Sequence, residues 1–406
     1  MIFYVARNFS RFFNACGIDF LSIILYNISE KAVCRNEQRH SQKGKVITMA
    51  KFKRIGVLTS GGDAPGMNAA IRAITRRALQ NGIEVKGILG GYSGLIADNM
   101  IDLTARRVSN ISHMGGTIIY SDRCPEFKTE EGMRKAIDTC RRNNIDAIVA
   151  IGGDGTFRGA TDLSIRGIPT IGVTGSIDND ITATDYTVGF DTAMNTVLEC
   201  VDRLRDTCES HARCNVVEVM GRDCGEIALK TGIASGAVAI AIPEVPFDEA
   251  AAIARIKAAK ADGKRGMLVI VSEGVFTAEG KPYSEVLAKK IGEETGIETK
   301  FARLAHIVRG GNPTLRDRLT ATEMGVFAVD LLLAGKSDAI VAEIDGEIVS
   351  SDIRFALTTD KMYKNKLKEG QLDGFSDEDI DRMKAICAKR SADIQRLYQI
   401  SLGLCR

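Results

Sequence analysis

Apolar positions along the chain fall into short β-type runs that alternate with longer segments of helical spacing. The clearest runs are 147–151 and 169–173, each rich in β-branched residues and each followed by an acidic, glycine-bearing loop. Apolar runs of this length bounded by glycine are typical of buried strands in a parallel sheet. Segment 156–166 between them has room for a crossover helix. Because loops that leave the carboxyl ends of such strands open onto one crevice, we expect loops 152–156 and 175–180 to lie close together.

The same alternation continues through the rest of the chain and predicts two facing, doubly wound α/β domains. Asp191 is predicted to cap a helix whose apolar positions, from Met194 to Leu204, recur at helical spacing. Ser376 and Asp379 fit a capping box that opens a final helix towards Leu397. The remaining predicted elements are strands at 54–60, 84–89, 214–220, 237–242 and 267–271, and helices at 69–79, 132–143 and 249–260.

Residues 1–49 differ from the rest in being aromatic and basic at first, then polar and short of glycine. Their arginines weakly resemble a transit peptide, but Asp19 and Glu30 break that pattern, and the apolar stretch 20–26 is too short for a secretory signal or a membrane anchor. We therefore expect an upstream extension outside the fold, with Met49 as the functional start and residues 1–48 dispensable.

Composition narrows the class of protein. The 406 residues, 45% hydrophobic and 26% charged, are ordinary for two or three globular domains. A net charge of +2 without a dense Lys/Arg run gives no reason to expect a nucleic-acid partner. No run of about 18 apolar residues occurs, so no membrane partner is expected. Ten cysteines without a CxxC pair are expected to be reduced, and we expect a cytoplasmic protein.

The two loops carry the chemistry. Glycine lets backbone N–H groups approach phosphate closely, and carboxylates such as Asp154, Asp178 and Asp180 can hold magnesium or accept a proton from a hydroxyl. Either loop alone is equally well an ordinary strand-to-helix turn, with its carboxylate a helix cap. A Gly-Gly-Asp-Gly-Thr loop also occurs in the diacylglycerol and NAD kinases. Both loops together favour phosphoryl transfer.

Five motifs in order extend this reading. They are LTSGGDAPGMN at 58–68, IGGDGT at 151–156, GSIDND at 175–180, VEVMGR at 217–222 and HIVRGG at 306–311. With them, the chain from residue 49 to about 357 closely resembles the bacterial ATP-dependent 6-phosphofructokinase family. The resemblance implies a homotetramer that phosphorylates fructose 6-phosphate at its 1-hydroxyl, with the active site in the cleft between the two domains. It also implies an ATP-binding domain of 50–188 plus about 310–357 and a substrate-binding domain of 189–309, with 358–406 a C-terminal helical segment of no assigned role.

The resemblance also implies a role for each matching residue. Asp178 would be the catalytic base, Arg222 would act with it in catalysis, and Asp154 would hold Mg²⁺. The residues expected to line the ATP phosphates are Gly62, Arg123, Cys124, Gly153, Asp154, Gly155 and Thr156. Those expected to bind the sugar phosphate are Ser176, Asp178, Asp180, Met220, Gly221, Arg222, Glu273, His306 and Arg309, with Arg213 and Lys300 from a neighbouring subunit. Taken singly, Arg213 would be interpreted as a surface charge and His306 as a satisfied core histidine, and only their place in the series of motifs favours the functional role.

Two alternatives concern the identity of the phosphoryl donor and whether the chain is catalytically active. Pyrophosphate-dependent relatives commonly carry aspartate at the position of Gly155 and lysine at that of Gly175, so two glycines favour ATP. A catalytically silent regulatory subunit is disfavoured by the intact Asp154, Asp178 and Arg222.

The resemblance also implies an effector site, which would contain Arg72, Arg76, Arg205 and Lys264. There Val238 replaces a glutamate that meets the effector's magnesium, Ala105 replaces an arginine and Asp262 a lysine, which predicts weak or absent activation by Mg-ADP.

Overall fold

The computed structural model describes residues 52–404, so the predictions for residues 1–49 lie outside the described part of the chain. Its strands are β1 (Arg54–Ser60), β2 (Glu84–Ile88), β3 (Met100–Asp102), β4 (Ala147–Gly152), β5 (Thr170–Thr174), β6 (Cys214–Val219), β7 (Ala239–Ala241), β8 (Met267–Ser272), β9 (Thr299–Arg303), β10 (Ala339–Ile344) and β11 (Glu347–Asp352).

The helices alternate with these strands along most of the chain. They are α1 (Met67–Gln80), α2 (Gly91–Ile96), α3 (Glu130–Arg142), α4 (Asp154–Ile165), α5 (Phe190–His211), α6 (Glu226–Ala234), α7 (Glu249–Ala261), α8 (Tyr283–Thr295), α9 (Leu315–Leu333), α10 (Ile353–Tyr363) and α11 (Asp377–Leu404). Short 3-10 helices span Glu126–Lys128 and Ala305–Arg309.

The first sheet has seven strands in the order β11-β10-β5-β4-β1-β2-β3, parallel except for the two edge pairs. Strand β4 is buried along its whole length, and its alternate side chains serve two apolar clusters. Val149 packs on one face with α1 and α9, whereas Ile148 packs on the other with α2, α3, α4 and α10. Helices on both faces explain why this strand is apolar throughout rather than alternating.

The second sheet has four parallel strands in the order β7-β8-β6-β9. It is wound in the same way: Val217 of β6 packs with α5 and α6, and Val216 packs on the opposite face with α7 and α8. Two doubly wound α/β sheets are the predicted fold class, which is therefore confirmed. Helix α5 joins the two sheets, since it follows β5 of the first and precedes β6 of the second.

Of two helix starts predicted from the sequence, one is wrong and one is confirmed. Asp191 was expected to cap α5, and this is wrong: Gly189, with φ of 106°, occupies the cap, and Asp191 lies within the first turn. At α11 the predicted capping box is confirmed, because Asp379 N–H donates to Ser376 Oγ (3.1 Å) and Ser376 N–H donates to Asp379 Oδ2 (3.3 Å). Between residues 52 and 404, no helix has the length and apolar character needed to cross a membrane.

Candidate active site

A cavity of about 860 Å³ opens where the strands of both sheets end. The carboxyl ends of β1, β4 and β5 form one wall, and residues that follow β6 and β9 form the other. The structure brings twelve of the predicted residues together here: Gly62, Arg123, Cys124, Gly153, Asp154, Gly155, Thr156, Ser176, Asp178, Asp180, Arg222 and Arg309. Residues separated by about 250 positions in the chain thus meet at the edge that parallel-sheet geometry predicts.

The glycine loop between β4 and α4 leaves the backbone open to a ligand. Gly153 is the N-cap of α4, and a Cβ placed at Gly153 or at Gly155 would meet no heavy atom within 4 Å. A hydrogen bond connects the loop to the end of β1, because the Thr156 hydroxyl donates to the Ser60 carbonyl (2.9 Å). Free N–H groups at a helix start favour an anion, so this end of the cavity suits phosphate.

Asp154 is the carboxylate at this phosphate end of the cavity. Its side chain is partly exposed at the first residue of α4 and pairs with Arg158 one turn along. Within residues 52–404, no group of three His, Cys, Asp or Glu side chains is placed to hold a metal ion by itself. Magnesium at a nucleotide commonly takes one or two carboxylates and completes its shell with phosphate oxygens and water. A single carboxylate beside a phosphate cradle therefore fits Mg²⁺ brought with a nucleotide.

Asp178 lines the cavity and is only 1% exposed. Its Oδ1 atom has no hydrogen-bond partner among the described residues. Its backbone N–H donates to Ser176 Oγ (3.2 Å), and Ser176 Oγ donates to Asp180 Oδ1 (3.1 Å). Burial first, and then the nearby Asp180 carboxylate, raise the Asp178 pKa to about 6, although Arg222 and Arg309 act to lower it. A buried carboxylate with an unused oxygen is suited to accept a proton.

Arg222 reaches Asp178 from the second sheet. Its Nε atom lies 3.2 Å from Asp178 Oδ2, and its Nη1 atom lies 3.8 Å from Asp180 Oδ2. The turn after β6 that presents it is fixed by Glu273, whose carboxylate accepts from the N–H groups of Gly221 (3.2 Å) and Arg222 (3.0 Å). Glu273 and Gly221 therefore position Arg222 in this structure. Met220, predicted to contact the sugar, is buried at the end of β6.

Arg309 also enters the cavity from the second sheet's side. Its Nη1 atom donates to the Asp63 carbonyl (3.2 Å). The approach depends on glycine, since a Cβ at Gly62 would lie 2.5 Å from that same Nη1. His306, on the 3-10 helix that leads to Arg309, is exposed and does not line the cavity. It is therefore not the satisfied core histidine that its residue type alone suggested.

Arg213 and Lys300 lie away from this cavity, at the opposite end of the second sheet. Arg213 precedes β6, and Lys300 pairs in register with Asn215 at the start of that strand. Both bind Glu298, through Arg213 Nε (2.7 Å) and Lys300 Nζ (2.9 Å), and these two hydrogen bonds lower the pKa of Glu298 to about 2. Within one chain they do not join the site, and their expected role in a neighbouring subunit stays a prediction.

The predicted effector residues are distributed over three elements. Arg72 and Arg76 lie one turn apart on α1, Arg205 on α5 donates to the Ser235 carbonyl, and Lys264 follows α7. Val238 is buried in the apolar cluster of the second sheet, so its position offers no ligand to a metal. Ala105 and Asp262 are exposed.

Several lining residues were missed by the sequence analysis. Tyr92 stacks on Phe127 with ring centroids 4.2 Å apart and donates to the Thr156 carbonyl (2.6 Å), which supports the glycine loop from behind. Its glycine-rich surroundings after β2 were a signal for a loop but not for this contact. Arg158 was detectable in principle, since it lies four residues after Asp154 on the same helix.

The fold and this glycine-rich, carboxylate-bearing cleft are those of α/β phosphotransferases. The chain belongs to the phosphofructokinase family, whose model, described as "Phosphofructokinase", matches residues 54–332.

Two bacterial relatives are similar to this chain over most of its length. An ATP-dependent 6-phosphofructokinase of Clostridium acetobutylicum is 49% identical over 316 residues, 78% of this chain and 97% of that relative. One of Bacillus pumilus is 50% identical over 302 residues, 74% of this chain and 93% of the relative.

Solved structures carry the same fold. Phosphofructokinase of Saccharomyces cerevisiae aligns with a TM-score of 0.75 at 30% identity over 86% of this chain, which spans half the length of the yeast chain. A pyrophosphate-dependent phosphofructokinase of Marinobacter aquaeolei, with a TM-score of 0.67 over 83% of this chain and 92% of that one, is 22% identical and supports the fold alone.

Proposed function

We propose that this chain transfers the terminal phosphoryl group of ATP to the 1-hydroxyl of fructose 6-phosphate, forming fructose 1,6-bisphosphate. The observation that carries the proposal is the buried Asp178 carboxylate, which has one oxygen without a hydrogen-bond partner and lines the cavity together with a glycine loop, Arg222 and Arg309. The names of the bacterial relatives, all near half identity, support the choice of donor and acceptor.

In the proposed mechanism, Asp178 accepts the proton of the attacking 1-hydroxyl. A pKa near 6 suits this role, because the carboxyl is ionised at neutral pH yet basic enough to take a proton. Arg309 binds the 6-phosphate with a planar fork of donors, and His306 lies just before it. Arg222 leaves its present partners and stabilises charge on the transferring group, which its half-exposed side chain leaves it free to do.

The phosphate end of the cavity holds the nucleotide. The backbone of loop 153–156, with Gly62, Arg123 and Cys124, lies along the ATP phosphates. Asp154 would hold Mg²⁺ bound to those phosphates. Such an ion neutralises phosphate charge during transfer. Arg158, which pairs with Asp154 in this structure, would have to release that carboxylate for Asp154 to hold the ion.

We propose a cytoplasmic homotetramer in which Arg213 and Lys300 complete the 6-phosphate site of the next subunit. Both lie at the end of the second sheet opposite the cavity, where the Lys300 side chain is exposed and that of Arg213 is partly exposed. Lysine at position 300 contributes charge without the bidentate fork of arginine, so it binds phosphate less specifically. We assign residues 50–188 and about 310–357 to an ATP-binding domain and 189–309 to a substrate-binding domain.

The test is an assay of fructose 1,6-bisphosphate formation by the purified chain, with ATP or pyrophosphate as donor. We expect turnover with ATP and none with pyrophosphate. Space for the nucleotide depends on Gly155, where a Cβ meets nothing within 4 Å. The Gly155→Asp variant is therefore the matched control: its carboxylate should repel the α-phosphate end and raise the KM for ATP. Turnover with pyrophosphate alone would replace the proposed donor, and no turnover with either would favour the silent regulatory subunit.

A further inference from the structure

Three successive backbone carbonyls directly after Asp178 each accept a hydrogen bond from a cation of the C-terminal segment. The Asn179 carbonyl accepts from Arg390 Nη2, and the Ile181 carbonyl accepts from Arg390 Nη1 (3.3 Å). The Asp180 carbonyl between them accepts from Lys364 Nζ (3.0 Å). The loop that carries the proposed base is thus held by residues 184 to 211 positions further along the chain.

These two cations are themselves held in place. The Arg390 side chain, on α11, is 11% exposed and pairs with Glu226 (2.7 Å), which is equally buried. Lys364, just after α10, is 19% exposed and pairs with Asp360 (2.8 Å). Both pairs are shielded from water, so their geometry is better defined than that of a surface ion pair.

Glu226 closes the link back to the loop. Its Oε2 atom accepts from Asn179 Nδ2 (3.2 Å), while its Oε1 atom binds Arg390. Asn179 has a φ of 50°, in the left-handed region that asparagine adopts more readily than most residues with a Cβ. The side-chain amide and the backbone carbonyl of the residue next to Asp178 are thus both fixed by the Arg390–Glu226 pair.

We propose that Arg390 is a positioning residue for the reaction: it orients the Asp178 carboxylate by fixing the backbone of residues 179–181. Helix α11, which lies beyond the residues matched by the family model, thereby becomes part of the catalytic machinery. Arg390 touches no substrate in this proposal. The inference rests on the proposed function in that Asp178 is the base.

The first test separates positioning from stability. In Arg390→Met we expect kcat to fall about 10²-fold, the scale expected when a reacting group is displaced by about 1 Å, with the KM for ATP unchanged. Arg390→Lys retains donors for part of the network and should recover part of the loss. Ile394→Ala is the control, because it removes a buried core side chain from the same helix and lowers stability while Arg390 keeps its hydrogen bonds to the loop.

Two further arms keep the test decisive. Arg390→Met leaves the buried Glu226 with Lys230 as its remaining ion-pair partner (2.7 Å), so the double variant with Glu226→Gln removes the buried carboxylate charge if the single variant folds poorly. Amide hydrogen exchange of a peptide covering 176–181 measures the loop without any substrate. We expect faster exchange in the Arg390 variants than in Ile394→Ala at matched stability.

The results discriminate as follows. If Ile394→Ala lowers kcat as much as Arg390→Met at matched stability, or if the loop exchanges at the wild-type rate in Arg390→Met, the positioning role is refuted. An inactive wild-type chain would overturn the proposed function instead. The exchange measurement would then still decide whether Arg390 fixes the loop.

Discussion

Replacing Asp178 with asparagine should make the protein more stable and much less active. The carboxyl is 1% exposed, and burial raises its pKa from 3.8 to about 6. Because each pKa unit corresponds to about 1.4 kcal/mol, keeping this carboxylate ionised in the folded protein at pH 7 costs about 3 kcal/mol. Asparagine has nearly the same shape and no charge, so it removes most of that cost. The figure of about 3 kcal/mol already includes the favourable ion pair with Arg222, because Arg222 acts to lower this pKa.

The sign of the pH dependence follows from the raised pKa. Between pH 3.8 and about 6 the folded protein binds more protons at Asp178 than the unfolded chain does. The contribution of the protonated Asp178 to the free energy of unfolding is therefore fully present below pH 4 and is lost as the pH rises through 6. The stability gain of Asp178→Asn should be largest at pH 7 and about half as large at pH 5.

Urea unfolding of both proteins at pH 7 and pH 5, with turnover measured on the same preparations, tests this reasoning. We expect turnover at least about 10²-fold below wild type, since a general base has been removed. An asparagine variant that is no more stable than wild type at pH 7, or whose gain is the same at both pH values, would refute the raised pKa. Near-normal turnover would remove Asp178 from the mechanism.

Three further expectations follow from the same geometry. As the pH is lowered, kcat/KM should decrease with a midpoint near pH 6, and in Arg222→Met this midpoint should move to higher pH, because Arg222 lowers the pKa of Asp178. A midpoint that does not change would contradict this coupling. Gly62→Ala should raise the KM for fructose 6-phosphate, because the new Cβ would lie 2.5 Å from Arg309 Nη1 and displace that side chain. A saturation curve that matches wild type would show that Arg309 can move away without loss of substrate binding. Mg-ADP should activate weakly or not at all, because Val238 is a buried apolar side chain, and a strong leftward shift of the fructose 6-phosphate curve at saturating ATP would refute it.

Local patterns predicted the elements that carry the site. The strand at 54–60 was placed with its observed bounds, and the loops after β4 and β5 meet as parallel-sheet geometry requires. Glycine, β-branched residues and capping side chains act within a few positions of one another, so a single sequence reveals them. The hairpin of β10 and β11 was missed although Asp345 and Gly346, both with positive φ, are a typical two-residue turn signal.

Contacts between distant segments were not predictable in this way. Helix α6 shows little apolar periodicity, because most of its residues are buried, and it was overlooked. Arg390 lies 211 positions from Asn179, and no spacing rule connects a residue late in a predicted amphipathic helix with a carbonyl beside the proposed base. The C-terminal segment therefore had no assigned role until its contacts were seen.

The strand order of the first sheet also has a consequence for synthesis. Strand β5 ends at residue 174, but its outer neighbour β10 begins only at residue 339, after the whole second sheet has been made. During translation the second sheet, contiguous from 214 to 303, has all its strands while β5 is still an unpaired edge. A nascent chain therefore carries an open strand beside the future catalytic loop for more than 160 residues of elongation. An open strand edge can pair with another chain, so this interval favours aggregation of the nascent protein.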